Sequence, residues 1–284
     1  MRLEAKGCST TEVSTPRRAR FGQDAGVSES EALPAGGSNR GAVVLVDGTV
    51  RRPARENSVA VRRLLRHVRA TGFLAVPEPY GFDGEGRENV SFIEGEVPRP
   101  PLPEWAATTD TLRAIGVLIG ALREATAFYV PHRAERWFAS PSIPAEFATH
   151  GCVGHNDIDF GNIIFKDRAP VGIIDFDYAA PSDPVWDIAV AAFYLVPLRD
   201  PAAIDPRPAD QSTAERLAAL TAGAALPLGE ASRLVDAVLA FQHHRRDRAD
   251  RAGRSTPSWV RQHDRDTTWL RRVANFLRSE VAGS

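Results

Sequence analysis

"GHNDIDFGNIIF", residues 154–165, and "IDFDYA", residues 174–179, set a run of acids and amides between apolar segments. Acids on a loop ordinarily solvate a surface, but these are flanked by strand-like sequence. "NIIF" and "VGIIDFD" read as two antiparallel strands joined by a five-residue loop, "KDRAP". Antiparallel pairing sets the start of the first strand beside the end of the second. Asn162 precedes the first strand and Asp175 ends the second, so the hairpin brings together two residues thirteen apart. Asp157, on the loop feeding the first strand, should face the same mouth.

One amide and one carboxylate suit a hard cation that keeps waters, as Mg²⁺ does when phosphate oxygens complete its octahedron. A further carboxylate nearby can accept a proton from a hydroxyl. A base, an Asn and a metal-binding Asp are the parts of kinase phosphoryl transfer.

Working outward, "AVVLV" and "TVRR" flank Asp47-Gly48, a hairpin signal, after a Gly36-Gly37-Ser38 loop. "NSVAVRRLLRHVRATGF" reads as a helix capped by Asn57 or Ser58, with Val61, Leu64, Leu65 and Val68 on one face and Gly72 ending it. Two short strands around "DGEG" follow. "VPRPPLP", 97–103, is a connector, and "TDTLRAIGVLIGALREATAFYV" is helical. "DPVWDIAVAAFYLVPL" and the stretches 212–222, 229–251 and 256–281 read as helices as well. The division is then a disordered tail at 1–30, a small β-rich lobe with one helix at 31–96, and a mainly helical lobe at 97–284.

A formal net charge of −1 gives no field that would favour nucleic acid or a membrane. No apolar run is long enough to span a bilayer, and the polar N-terminus has no secretory apolar core. Cys8 and Cys152 form no metal spacing or disulfide framework, which suits a cytoplasmic protein. Oligomeric state is not legible.

Three motifs now stand in order: "HNDIDFGN", "IIDFDYA" and "SDPVWDIA". They resemble the aminoglycoside phosphotransferase and choline kinase family of the protein-kinase-like fold, whose pattern runs H-G-D-x-x-x-x-N, then I-D-[FW]-[DE], then D-P-x-x-D-[IL]-A. The resemblance covers the chain from about residue 31 onward. It implies an α+β, two-lobed kinase-like fold and an enzyme moving the γ-phosphoryl group of ATP or GTP to a small hydroxylated acceptor, with Mg²⁺. Asp157 would be the base, and Asn162 and Asp175 the metal ligands. His155 would pack the loop, and Asp187 would hold the loop's backbone. Asp177 is either a second metal contact or solvated. Asp159 would face the acceptor. Backbone near Phe92 and Ile93 would meet the purine.

The pattern also departs from the family. Kinase-like enzymes place a lysine on the third strand, paired with a helix glutamate. The chain's lysines are Lys6 and Lys166 only, so neither lies in the small lobe. Arg51 and Arg52 stand at the matching position. Strand alternation turns only one of them inward, and Arg52 is the choice. The phosphate-covering loop is reduced to Gly37 and Ser38. An arginine-rich stretch, 241–278, tilts the acceptor from a cationic aminoglycoside towards a neutral or anionic compound. Trp259, Trp269 and Phe276 line an acceptor wall or, preferably, join the core. The acceptor type covers antibiotics, with resistance as the consequence. The alternatives are a metabolic kinase of the same fold and a nucleotide-binding pseudokinase.

Overall fold

The computed structural model describes residues 30–32, 43–137, 143–148, 152–201 and 211–283. Gly37, Ser38, the 1–29 segment, Cys8 and Lys6 lie outside them.

The first part is a five-stranded antiparallel sheet in the order β1-β2-β3-β5-β4. Its strands are β1 (Ser30–Ala32), β2 (Val44–Val46), β3 (Thr49–Arg52), β4 (Pro79–Phe82) and β5 (Glu88–Ser91). β1 was not read from the sequence. Asp47 and Gly48 turn the β2–β3 hairpin at φ +50° and +73°, the left-handed pair that matches strand twist. Helix α1 (Ser58–Ala70) covers the sheet with Val61, Leu64, Leu65 and Val68 buried. Asn57 occupies its N-cap position but makes no capping bond. Its Nδ2 instead donates to the Asp177 carbonyl, 2.8 Å away. Ser58, also considered as a cap, accepts from the Arg55 N–H.

The chain leaves the sheet through Gly95. There a β-carbon would sit 2.4 Å from the Phe165 carbonyl, so only glycine admits the approach. Glu96 and Phe165 then exchange two backbone bonds of 2.8 Å, joining the sheet part to the helical part.

The second part opens with α2 (Thr109–Thr126), capped by Thr108. Strand β6 (Cys152–Gly154) pairs with β9 (Ala180–Ser182), a pairing the sequence did not reveal. Between them lies the hairpin of β7 (Ile163–Lys166) and β8 (Ala169–Ile173). Its turn is the two residues Asp167 and Arg168, at φ +52° and +66°, not five as expected. Proline and alanine at the strand start disguised two paired residues as loop. The strand also stops at Ile173, so Asp175 does not end it but lies two residues beyond.

Helix α3 (Pro184–Leu195) is apolar on nearly every face, Asp187 excepted, and accordingly buried along most of its length. Its last carbonyls meet the buried Arg216 guanidinium, which bonds Leu195 and Val196 at 3.0 and 3.1 Å and also reaches Ala107. Arg216 lies on α4 (Thr213–Gly223), which begins with a capping box of Ser212 and Glu215. Two long helices, α5 (Leu228–Arg251) and α6 (Pro257–Gly283), complete the described chain. No described helix is long and apolar enough to cross a membrane.

Candidate active site

The central loop is fixed from below. Asp187, on α3, is buried, and a buried carboxylate demands hydrogen-bond donors. It accepts the backbone N–H groups of His155 at 2.8 Å and Asn156 at 2.7 Å. Burial pushes its pKa up against these bonds. His155 is fully enclosed. Its Nε2 donates to the Ile174 carbonyl at 2.9 Å, Nδ1 accepts the Asp157 N–H at 3.3 Å, and its ring packs on Phe176. Asn156 stands where the family motif has glycine. It takes φ +63°, a conformation asparagine tolerates better than most residues. Its amide donates to the carbonyls of Gly154, Tyr178 and Ala180. The sequence reading assigned Asn156 no role, and this bracing was not anticipated.

Asp157, Asn162 and Asp175 come to one mouth. The Asn162 Nδ2 donates to the Asp157 carbonyl at 2.7 Å and the Asp157 Oδ2 at 3.3 Å, which leaves its Oδ1 for another partner. The Ile174 N–H bonds the Asn162 carbonyl at 2.9 Å, so the residue before Asp175 is locked to Asn162. Asp175 itself is held at φ +64°, ψ +62°, a left-handed conformation that costs a non-glycine residue energy and recurs at functional sites. Asp159 caps the short turn Phe160–Asn162, accepting the Gly161 N–H at 2.7 Å. The Asp159 carboxylate therefore has a local structural partner besides any acceptor.

Arg52 arrives from β3, and alternation sends it, not Arg51, to this mouth. Its Nε meets Glu88 at 2.7 Å, Nη1 meets Asp175 at 3.0 Å and Nη2 meets Asp177 at 2.8 Å. Burial works against its charge, but the carboxylates of Glu88, Asp177 and Asp175 outweigh it and raise its pKa. Glu88 is its cross-strand neighbour on β5, a partner that strand pairing alone supplies. Asp177 is buried and paired with Arg52 and Arg55, so the solvated alternative is wrong. Lys166 lies away on β7, bonded to Glu94.

Acidic crowding marks the mouth. Burial, then the charges of Asp159 and Asp175, push Asp157 up to about 7, against Arg248 and the Asn162 bond. Burial also raises Asp159 and Asp175. Beside the mouth, a cavity of about 200 Å³ runs between the sheet and the β7–β8 hairpin. Its walls include Val50, Val61 and Val90, with Arg52, Asn162 and Asp175 at one end and Phe92 and Ile93 among its lining. Apolar walls with a charged end fit a flat base carrying phosphates.

The other side of Asp157 faces α5. Arg248 lies 4.5 Å over the Tyr178 ring and Arg245 lies 4.3 Å over Phe193. The charges of Arg245, Asp157, Asp159 and Arg248 all act on Tyr194, so α5 borders the side of the mouth that Asp157 and Asp159 face. Trp259 stacks on His263, and Trp269 packs partly buried against the core. Phe276, expected in the core, is 57% exposed, because its helix face has no covering element among the described residues.

The donor set suits a hard cation. Among the described residues no three His, Cys, Asp or Glu side chains form a metal cage. An amide oxygen and a carboxylate leave most of an octahedron to phosphate and water, which fits Mg²⁺ on a nucleotide.

Comparison with known proteins bears on the family pattern and the fold. The model of the phosphotransferase enzyme family matches residues 118–226, a span containing all three motifs. The trifolitoxin immunity protein of Rhizobium leguminosarum bv. trifolii is 32% identical over 166 residues, 58% of this chain and 62% of that protein. The chain thus spans less than two thirds of that curated relative's length. An aminoglycoside phosphotransferase from Alicyclobacillus acidocaldarius superposes with a TM-score of 0.59 at 14% identity, covering 92% of this chain and 94% of its own. A choline/ethanolamine kinase family protein from Mesorhizobium loti gives 0.57 at 14% identity, covering 92% and 95%. The fold is kinase-like, and the resemblance read from the motifs stands.

Proposed function

We propose that this chain, which carries the phosphotransferase enzyme family's pattern on a kinase-like fold, moves the γ-phosphoryl group of ATP or GTP to a hydroxyl of a small molecule. The convergence of Asp157, Asn162 and Asp175 on one mouth, with Arg52 entering from the sheet, is the observation that carries this reading. The nucleotide base lies in the apolar cavity by Phe92 and Ile93, and its phosphates point to Arg52. A divalent cation held by the Asn162 Oδ1 and Asp175 would neutralise phosphate charge. Asp157 aligns the acceptor hydroxyl and takes its proton as the new O–P bond forms and the bond to the β-phosphate oxygen breaks. The Asn162 bond and the loop below hold Asp157 in place, so positioning and charge supply most of the acceleration. No covalent enzyme intermediate is needed.

The acceptor is an antibiotic or toxin. Likeness to an immunity protein supports this class over a metabolic acceptor. Arg245 and Arg248 beside Asp157 and Asp159 support a neutral or mixed-charge compound over a polycation.

One observation favours a second reading. Arg52 already holds three carboxylates, as a structural cation in a nucleotide-binding pseudokinase would. Thermal unfolding with ATP and with GTP, each with and without Mg²⁺, tests the site on wild type and Asp175→Ala. A Mg²⁺-dependent shift lost in the variant supports the metal–nucleotide site, and no shift with either nucleotide sinks it. Phosphoryl transfer in an acceptor screen, abolished in Asp157→Asn, then excludes the pseudokinase.

A further inference from the structure

Kinase-like folds ordinarily tie the strand cation to a helix carboxylate. Here that tie cannot exist, because α1, "SVAVRRLLRHVRA", contains no acid. The contacts run the other way. The anion sits on the loop two residues after Asp175, and the cations come from the strand and from the turn before α1. Asp177 Oδ1 pairs with the Arg52 Nη2 at 2.8 Å, and Oδ2 pairs with the Arg55 Nε. Its backbone carbonyl accepts from the Asn57 Nδ2 at 2.8 Å. Asp177 and Asn57 are both buried and Arg52 nearly so, so the Asn57 bond and the Arg52 pair are shielded from water, while the Arg55 pair lies at the half-exposed edge.

We infer that Asp177 is a positioning residue, tying α1 and Arg52 to the loop that carries Asp175 in place of the usual helix carboxylate. The inference rests on the phosphotransferase reading for its purpose, though the tie itself does not. Two facts separate it from a metal-ligand role. Each Asp177 oxygen already holds an arginine, so a cation would have to break a buried pair. The helix attachment also uses the main-chain carbonyl, which a metal ligand would not need. Asp177 thereby sets the distance between the sheet, which brings Arg52, and the hairpin, which brings Asp175. A shift of α1 would move the loop, and the reverse.

The test is amide hydrogen exchange on the full chain, comparing wild type, Arg55→Gln, Asp177→Asn and the double variant, together with Mg²⁺ titrations of nucleotide binding. Arg55 is half-exposed, so Arg55→Gln should fold even if Asp177→Asn does not. The tie requires that Arg55→Gln alone speeds exchange of the Val61–Leu65 amides by about tenfold. Asp177→Asn should do at least as much, since it weakens the pairs with both Arg52 and Arg55, and the double variant no more than Asp177→Asn alone, since the Arg55 pair is already lost there. Unchanged α1 exchange in Arg55→Gln overturns the inference. So does a variant Asp177→Asn whose only effect is a higher Mg²⁺ requirement. If wild type binds no nucleotide, the phosphotransferase reading fails while exchange still decides the tie.

Discussion

In its proposed role as the base, Asp157 joins two demands that conflict. A base must be ionised to work, yet burial and two neighbouring acids hold its proton until about pH 7. The kcat/KM profile should therefore fall about tenfold per pH unit below that value, read from initial rates across pH 5–9 with a saturating donor. Asp157→Asn should cut turnover roughly 10²–10⁴-fold and leave nucleotide affinity nearly unchanged. The same substitution should stabilise the fold. A carboxyl whose folded pKa is raised loses stability on ionising. The gain should thus be near zero below about pH 4, grow towards pH 7 and level off above it, at roughly 4 kcal/mol at most. Urea unfolding at pH 4 and pH 8 reads it, and an equal effect at both would contradict the raised pKa. Asp157 was legible from its place in the motif. Its altered acidity was not, because Asp159 and Asp175 crowd it only after folding.

At the scale of elements, loops are held by helices. Asp187 serves two backbone N–H groups, so Asp187→Ala leaves both donors orphaned in a buried site. We expect a loss of about 3 kcal/mol in chemical denaturation. Helices α2 and α4 cross backbone to backbone, where a β-carbon on Gly116 would lie 2.3 Å from the Leu220 carbonyl. Gly116→Ala should cost roughly 1–3 kcal/mol despite its better helix propensity, and a stabilised variant would show that the crossing can open. Helices were read to within a few residues because their apolar period is strong. The β6–β9 pair escaped, since "CVG" and "APS" carry no strand signal. The two-residue β7–β8 turn was hidden by Ala169 and Pro170, which local preference assigns to loops.

Over the whole molecule, the contacts by which the sheet and the helical part meet near the candidate site include the Glu96–Phe165 bonds, the Ile173–Ala75 bond, the Arg52 cluster, and the Asp177 contacts with Arg55 and Asn57. A nucleotide bridging both parts should stabilise them together. At 100 times its Kd, Mg²⁺-nucleotide should add about 2.7 kcal/mol to unfolding, seen as a raised melting temperature. Arg52→Lys should reduce that gain, because an ammonium cannot reproduce the planar fork that reaches Glu88, Asp175 and Asp177.

By itself the sequence determined the kinase-like fold and the chemical parts. The order of three motifs, the spacing of Asn162 from Asp175 and the apolar period of the helices are local facts, written in residues near one another. Tertiary structure alone decided the partners. Glu88 meets Arg52 through strand register, Asp177 meets Arg55 and Asn57 through packing of α1, and Arg248 nears Asp157 through the placement of α5. Such contacts join residues far apart in the chain. Charge and burial act through space, and only the folded backbone sets those distances.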